Sequence, residues 1–184
     1  MINILFISCL PAPIVKSRNG TTYHRLGTLM KFPLYENTLP LMTTKKLAWK
    51  TCLKELLWFI SGDTSNETLL NQNVNIWDKN AKVSYITKNH ALNDLGPIYG
   101  HQWRHFNAKY LTSSADYEGE GVDQLQSIID DIKSGNLDTR RRLIMTAWNP
   151  EQLEEMALPP CHVLSQFHVH GSKLSCSLYQ RSGD

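Results

Sequence analysis

Apolar positions repeat at helical spacing most clearly between Lys45 and Ser61. Leu47, Trp49, Cys52, Leu53, Leu56, Leu57 and Ile60 recur there, and Gly62 supplies a stop. Near its C-terminal end this helix is apolar on nearly all sides, which predicts burial. Asp123 to Ser134 is amphipathic, with Leu125, Ile128, Ile129 and Ile132 on one face and Gly135 behind it. Asn66 to Gln72 reads as a short helix, and Asn149-Pro150-Glu151 as the start of another, with proline at its first position. Residues 21–34 mix Thr, Tyr, Leu and Phe and predict one or two strands. Leu143 to Trp148 is a compact apolar strand. Val163 to Val169 and Lys173 to Gln180 read as paired strands about a His170-Gly171-Ser172 turn, with Leu174, Cys176 and Leu178 opposite Ser175, Ser177 and Tyr179. Residues 79–96 are polar and read as an irregular surface excursion. The mixed order predicts an α+β fold.

The 184 residues suffice for one domain with a real core, and 41% hydrophobic with 20% charged residues is a globular profile. The net charge of +2 is too small to imply a nucleic-acid partner, so any role for arginine rests on position. Cys9, Cys52, Cys161 and Cys176 match neither zinc nor CxxC spacing, which fits reduced thiols in a cytosol-like compartment. The apolar start, Met1 to Leu10, has no basic residue before Lys16 and is too short to span a membrane. Asn66-Glu67-Thr68 is a formal glycosylation sequon that carries little meaning without an export signal.

Cys161 is the chemically suggestive residue. It lies in Leu158-Pro159-Pro160-Cys161-His162, between the triplet Arg140, Arg141, Arg142 and Arg181. Cationic neighbours favour a thiolate, and arginine forks suit a phosphate dianion. Taken alone, such a cysteine is more often a buried structural thiol.

The order of several stretches changes that weighting. Arg18-Asn19-Gly20-Thr21, Glu55-Leu56-Leu57-Trp58-Phe59, Ile76-Trp77-Asp78, Asp94 to Arg104, Arg141-Arg142, Ala147-Trp148-Asn149-Pro150, Ala157 to His162 and Leu178 to Asp184 together resemble thymidylate synthase. The resemblance covers residues 18–184, and the Arg-Ser-Gly-Asp and Gln-Trp-Arg-His-Phe stretches look more eukaryotic or viral than bacterial. It implies a thymidylate synthase-like α+β fold, a mixed sheet flanked by helices, with one sheet face forming a homodimer interface. It also implies conversion of dUMP to dTMP with 5,10-methylenetetrahydrofolate as co-substrate, with no metal, membrane or nucleic acid required.

The same resemblance implies the site. Cys161 adds to C6 of uracil, a conjugate addition that needs a soft nucleophile. Glu55, on an apolar helix, handles protons around base and cofactor; apolar surroundings raise a carboxyl pKa. Trp77 stands against the cofactor and Tyr99 in the proton network near C5. Arg18, Arg181 and Ser182 hold the phosphate, while Arg141 and Arg142 serve the partner subunit's site and Arg140 is a surface charge. His162, Gln180 and Gly183 belong to the nucleotide site. Asp184 meets the nucleotide and the folate pterin, with Glu55 and Trp77 also on the folate side.

The sequence also departs from the family. Residues 1–17 form an atypical N-terminal segment, too short to hold a fused dihydrofolate reductase, and 18–184 read as a partial synthase domain. The family continues for several dozen residues past the Arg-Ser-Gly-Asp motif, with the groups that read the pyrimidine edge, bind the sugar and close over folate. A fragment is therefore expected, without turnover alone. A hydroxymethylase of the same fold and a non-catalytic nucleotide-binding or dimerising chain are the competing readings. Localisation is expected to be cytoplasmic, with nuclear or organellar placement also compatible.

Overall fold

The computed structural model describes residues 14–17, 20–23, 27–34, 39–41, 44, 46–135 and 140–183. The chain divides into two compact units, Met1–Ala48 and Trp49–Asp184. In the first, β1 (Ile14–Ser17) and β2 (Gly20–Tyr23) form an antiparallel hairpin in which Ser17 faces Gly20. Of the one or two strands expected within residues 21–34, the described residues show the short β2, and its partner comes from the segment expected to be an atypical apolar start.

The second unit runs α1 (Trp49–Ile60), α2 (Asn66–Leu70), α3 (Asp78–Thr87), α4 (Tyr99–Arg104), α5 (Gln124–Ser134), β3 (Ile144–Thr146), β4 (His162–His170) and β5 (Lys173–Gln180). The three strands make an antiparallel sheet in the order β3-β4-β5. Phe167 stands opposite Cys176 and Gln166 opposite Ser177, with a register shift between His162 and Leu164. Every strand pairing among the described residues is antiparallel.

Helix α5 forms as its sequence dictates. The Asp123 carboxylate accepts the Gln126 N–H at 2.8 Å, and Gly135 closes the helix in a left-handed turn at φ 65°. Its apolar stripe meets the sheet through Ile128, Leu143 and Met145, with Leu125, Ile132, Phe167 and Val169 around them. A larger core joins Trp58, Phe59, Leu69, Trp77, Leu95, Ile98, Tyr99, Ala147 and Met156.

Three local expectations are corrected. Helix α1 begins at Trp49 and buries only Trp58 and Phe59, while Trp49, Leu53, Leu56, Leu57 and Ile60 stay exposed. An apolar circumference shows what a helix could bury, not what packs against it. The 79–96 stretch contains helix α3, whose inner face carries the small residues Ala81 and Ser84, so its amphipathic signal is weak. Residues 150–155 are turns rather than a helix. The sequon residue Asn66 is buried, with its side-chain NH2 donating to Asp78 at 3.1 Å. No described helix is long and apolar enough to cross a membrane.

Candidate active site

Helix α4 starts after Asp94-Leu95-Gly96-Pro97. Gly100 leaves no space for a side chain, since an added Cβ would lie 2.5 Å from the Asp63 carbonyl oxygen. This close approach seats the first turn of α4, and with it Tyr99, in the core. The Tyr99 hydroxyl accepts the Cys161 backbone N–H at 2.6 Å and the His162 N–H at 3.3 Å. Burial pushes the phenol pKa up, so Tyr99 stays protonated. With its oxygen accepting those two N–H groups, its own proton remains to be donated.

An aromatic shell surrounds this contact. Phe59 lies 4.4 Å from Tyr99 and 5.6 Å from Trp103, centroid to centroid, and Trp77 meets Tyr99 edge-on at 6.4 Å. Trp77 is 5% exposed, and its indole N–H donates to Glu55 Oε1 at 2.7 Å. Burial raises the Glu55 pKa and the Trp77 hydrogen bond partly offsets this. The other Glu55 oxygen has no hydrogen-bond partner among the described residues. A carboxyl group anchored at one oxygen and open at the other is suited to proton transfer.

Cys161 is half-buried at the entrance to β4. Arg181 wraps its loop: the backbone N–H donates to Cys161 O at 2.9 Å, Nε to Pro160 O at 2.8 Å and Nη2 to Pro159 O at 2.8 Å. The guanidinium carbon also stands 5.7 Å from the Trp148 ring centroid. Sequence reasoning assigned Trp148 no role, although its motif was visible; the pairing of a distant arginine with that ring had no sequence signal. His162 is exposed, with its ring 6.0 Å from Tyr99.

The structure thus brings together Cys161, Tyr99, Arg181 and His162, and joins Glu55 to Trp77 one aromatic layer away. Gln180 pairs with His162 across the strands and donates to Ser182 O at 2.7 Å, so its amide braces the turn carrying Ser182 and Gly183, both exposed. Arg141 and Arg142 are exposed on the approach to β3, and no carboxylate among the described residues pairs with either. Arg18 and Asp184 lie outside the described residues. A cavity of about 660 Å³ lined by Asp63, Arg104, His105 and Tyr117 includes none of these site residues. No group of three or more His, Cys, Asp or Glu able to hold a metal occurs among the described residues.

A cysteine whose backbone is clamped on both sides, a buried phenol and an anchored carboxyl group suit addition–elimination chemistry. The family model for thymidylate synthase matches residues 14–184. The chain belongs to the thymidylate synthase family. It is 49% identical over 172 residues to a bifunctional dihydrofolate reductase-thymidylate synthase of Zea mays, covering 91% of this chain and 32% of that protein. It is 47% identical over 171 residues to thymidylate synthase 1/2 of Encephalitozoon cuniculi, covering 91% and 58%. A thymidylate synthase of Ascaris suum is 49% identical over 169 residues, covering 86% and 57%. The chain therefore spans about a third of the bifunctional relative and under three-fifths of the other two.

Proposed function

We propose that this chain carries the nucleophilic half of a synthase that converts dUMP to dTMP. The observation that carries the reading is the double clamp on Cys161, with Tyr99 on its N–H and Arg181 on its C=O. The Cys161 thiolate forms a C–S bond at C6 of uracil, and the C5–C6 electron pair moves onto C5 and its carbonyl. Methylenetetrahydrofolate would give its one-carbon unit to C5 and, as its nitrogen leaves that carbon, a hydride to complete the methyl group; the C5 proton leaves to a base, and the C–S bond breaks as the C5–C6 double bond returns. The open Glu55 oxygen beside Trp77 fits the folate side, and Asp184 completes that assignment. Tyr99, kept protonated by burial, and Glu55 exchange protons near C5.

The phosphate falls to Arg18, Arg181 and Ser182, and His162, Gln180 and Gly183 face the nucleotide. A second copy of the chain supplies Arg141 and Arg142 in a homodimer built on the sheet. The exposure of both arginines and of Leu174, Leu178 and Tyr179 on β5 supports that assembly. A cytoplasmic enzyme is the accompanying reading.

The test isolates the first chemical step. Addition at C6 makes C5 basic, so that without folate a solvent proton can add there and the deuterium leave as the addition reverses; the chain is incubated with dUMP deuterated at C5, and loss of label to water is followed by mass spectrometry. Label loss that disappears in Cys161→Ser is expected. Label retention by the unaltered chain would contradict the assignment.

A further inference from the structure

Between α4 and the segment leading to Cys161 lies a cluster of three side-chain amides. Gln102, Asn149 and Gln152 are 0%, 4% and 6% exposed. Gln102 Nε2 donates to Pro97 O and to Gln152 Oε1, both at 2.8 Å. Asn149 Nδ2 donates to Gln152 Oε1 at 3.0 Å and to Gln102 Oε1 at 3.3 Å. Gln152 Nε2 donates to Ala108 O at 2.8 Å. From the other side, Gln124 Nε2 donates to Gln102 O at 2.7 Å and to Thr146 O at 2.8 Å, and Gln124 Oε1 accepts the Thr146 N–H at 3.0 Å. None of these amide atoms is left buried without a partner.

The connectivity closes a ring. Tyr99 and Gln102 share helix α4. Gln102 is bound to Asn149 and Gln152, whose chain continues through Pro160 to Cys161. Cys161 N–H returns to the Tyr99 hydroxyl. Halfway round, the Ala157 N–H donates to Leu95 O at 2.9 Å. The amide cluster thus fixes the offset between the helix that carries the phenol and the loop that carries the thiol. Satisfied buried polar networks specify a unique arrangement, because each alternative leaves a desolvated donor or acceptor.

We infer that Gln102, Asn149 and Gln152 are positioning residues that set the reactivity of Cys161 through Tyr99. The inference rests on the reading of Cys161 as the reacting thiol. Its readout is alkylation by iodoacetamide, which needs no nucleotide, so failure here and failure of label loss from dUMP are separate results. The rate is followed on the Cys161 peptide by mass spectrometry, apart from the exposed Cys52 and Cys176.

Gln152→Met removes the shared acceptor. Loosening the Tyr99 clamp exposes the thiol, and alkylation is expected to quicken roughly two- to tenfold, the scale of coupling within a contact network. Tyr99→Phe is expected to quicken it similarly, and the double variant no further. Gln152→Glu keeps the acceptor for Gln102 and Asn149 but loses the donation to Ala108. It is expected to keep the parental rate while lowering the melting temperature at least as far as Gln152→Met, since a buried carboxylate is the harsher change. A purely structural role would make rate follow stability. Asn149→Ala, which removes two donations within the cluster and the acceptor for the Glu151 N–H at 3.3 Å, serves if Gln152→Met does not fold, and is expected to act in the same direction. Multiplying effects in the double variant, or a Gln152→Glu rate as fast as that of Gln152→Met, would overturn the inference.

Discussion

The two sides of Cys161 are built differently. On the α4 side, Tyr99, Gln102, Asn149, Leu95 and Met156 are buried, and each polar group in the amide cluster is satisfied. On the β5 side, every residue from Lys173 to Gly183 is exposed, including Leu174, Leu178 and Tyr179. Cys161 is therefore seated by a finished scaffold, while the strand end proposed for the nucleotide stands open. The contrast separates two tasks. Placing Cys161 is local to this chain, and the strand end proposed for the nucleotide is a surface with room for further contacts.

The strongest way to break the contrast is to truncate one leucine on each side. Leu69 is 0% exposed in the core behind the site, and Leu69→Ala is expected to destabilise by about 2–5 kcal/mol. Leu178 is 49% exposed, and Leu178→Ala is expected to change the stability of the isolated chain by no more than about 0.5 kcal/mol. Chemical denaturation checks both. Equal losses would show that β5 is covered in solution.

A second prediction concerns pH on the buried side. His101 lies against Tyr110 and Tyr117, ring centroids 5.0 and 4.8 Å away, with His105 at 6.0 Å. Its Nε2–H donates to Ala108 O at 3.1 Å, which fixes the protonated nitrogen. Burial lowers its pKa below the ordinary value of 6.5. The unfolded chain then binds the proton first, so stability should fall as pH drops below 6.5 and level off below the folded pKa. His101→Gln is expected to flatten that part of the profile. Melting temperatures across this range check it, and an unchanged slope would remove His101 from the explanation.

The smallest expected effect comes from Glu55. Its raised pKa means that the folded state prefers the neutral acid, so its stabilising contribution is complete below 4.5 and is lost as pH rises through the folded value. Glu55→Gln keeps an acceptor for the Trp77 N–H and is expected to raise the melting temperature slightly at neutral pH, with no gain in acid. It should also impair proton transfer, the usual opposition between stability and function at such sites. A lower melting temperature at neutral pH would argue against the burial account.

Where the sequence announced an element, the signal was a physical one. Asp123, the apolar stripe and Gly135 mark α5 from cap to cap, alternation marks β5, and the His170-Gly171-Ser172 turn marks its pairing with β4. Helix α4 gave no such signal. It is six residues long and buries His101 and Gln102, so polarity pointed away from the core. The same polarity concealed the amide cluster, because glutamine and asparagine carry no sequence sign of burial. In α1 the pattern misleads in the opposite direction, since its apolar residues predict burial and most are exposed. Motif order singles out Cys161, Glu55, Trp77, Tyr99 and Arg181, and the structure links Cys161 to Tyr99 and Arg181, and Glu55 to Trp77. The clamps between Tyr99, Cys161 and Arg181 are not legible in the sequence, because they join residues far apart in the chain through backbone groups that every residue type shares.

The most direct test of the account is the alkylation rate of Cys161, measured on its own peptide with and without dUMP. A seated thiol facing a nucleotide site should be shielded by dUMP, while Cys52 and Cys176 react at unchanged rates, and Arg181→Ala should weaken the shielding. Identical Cys161 rates with and without saturating dUMP would contradict the account.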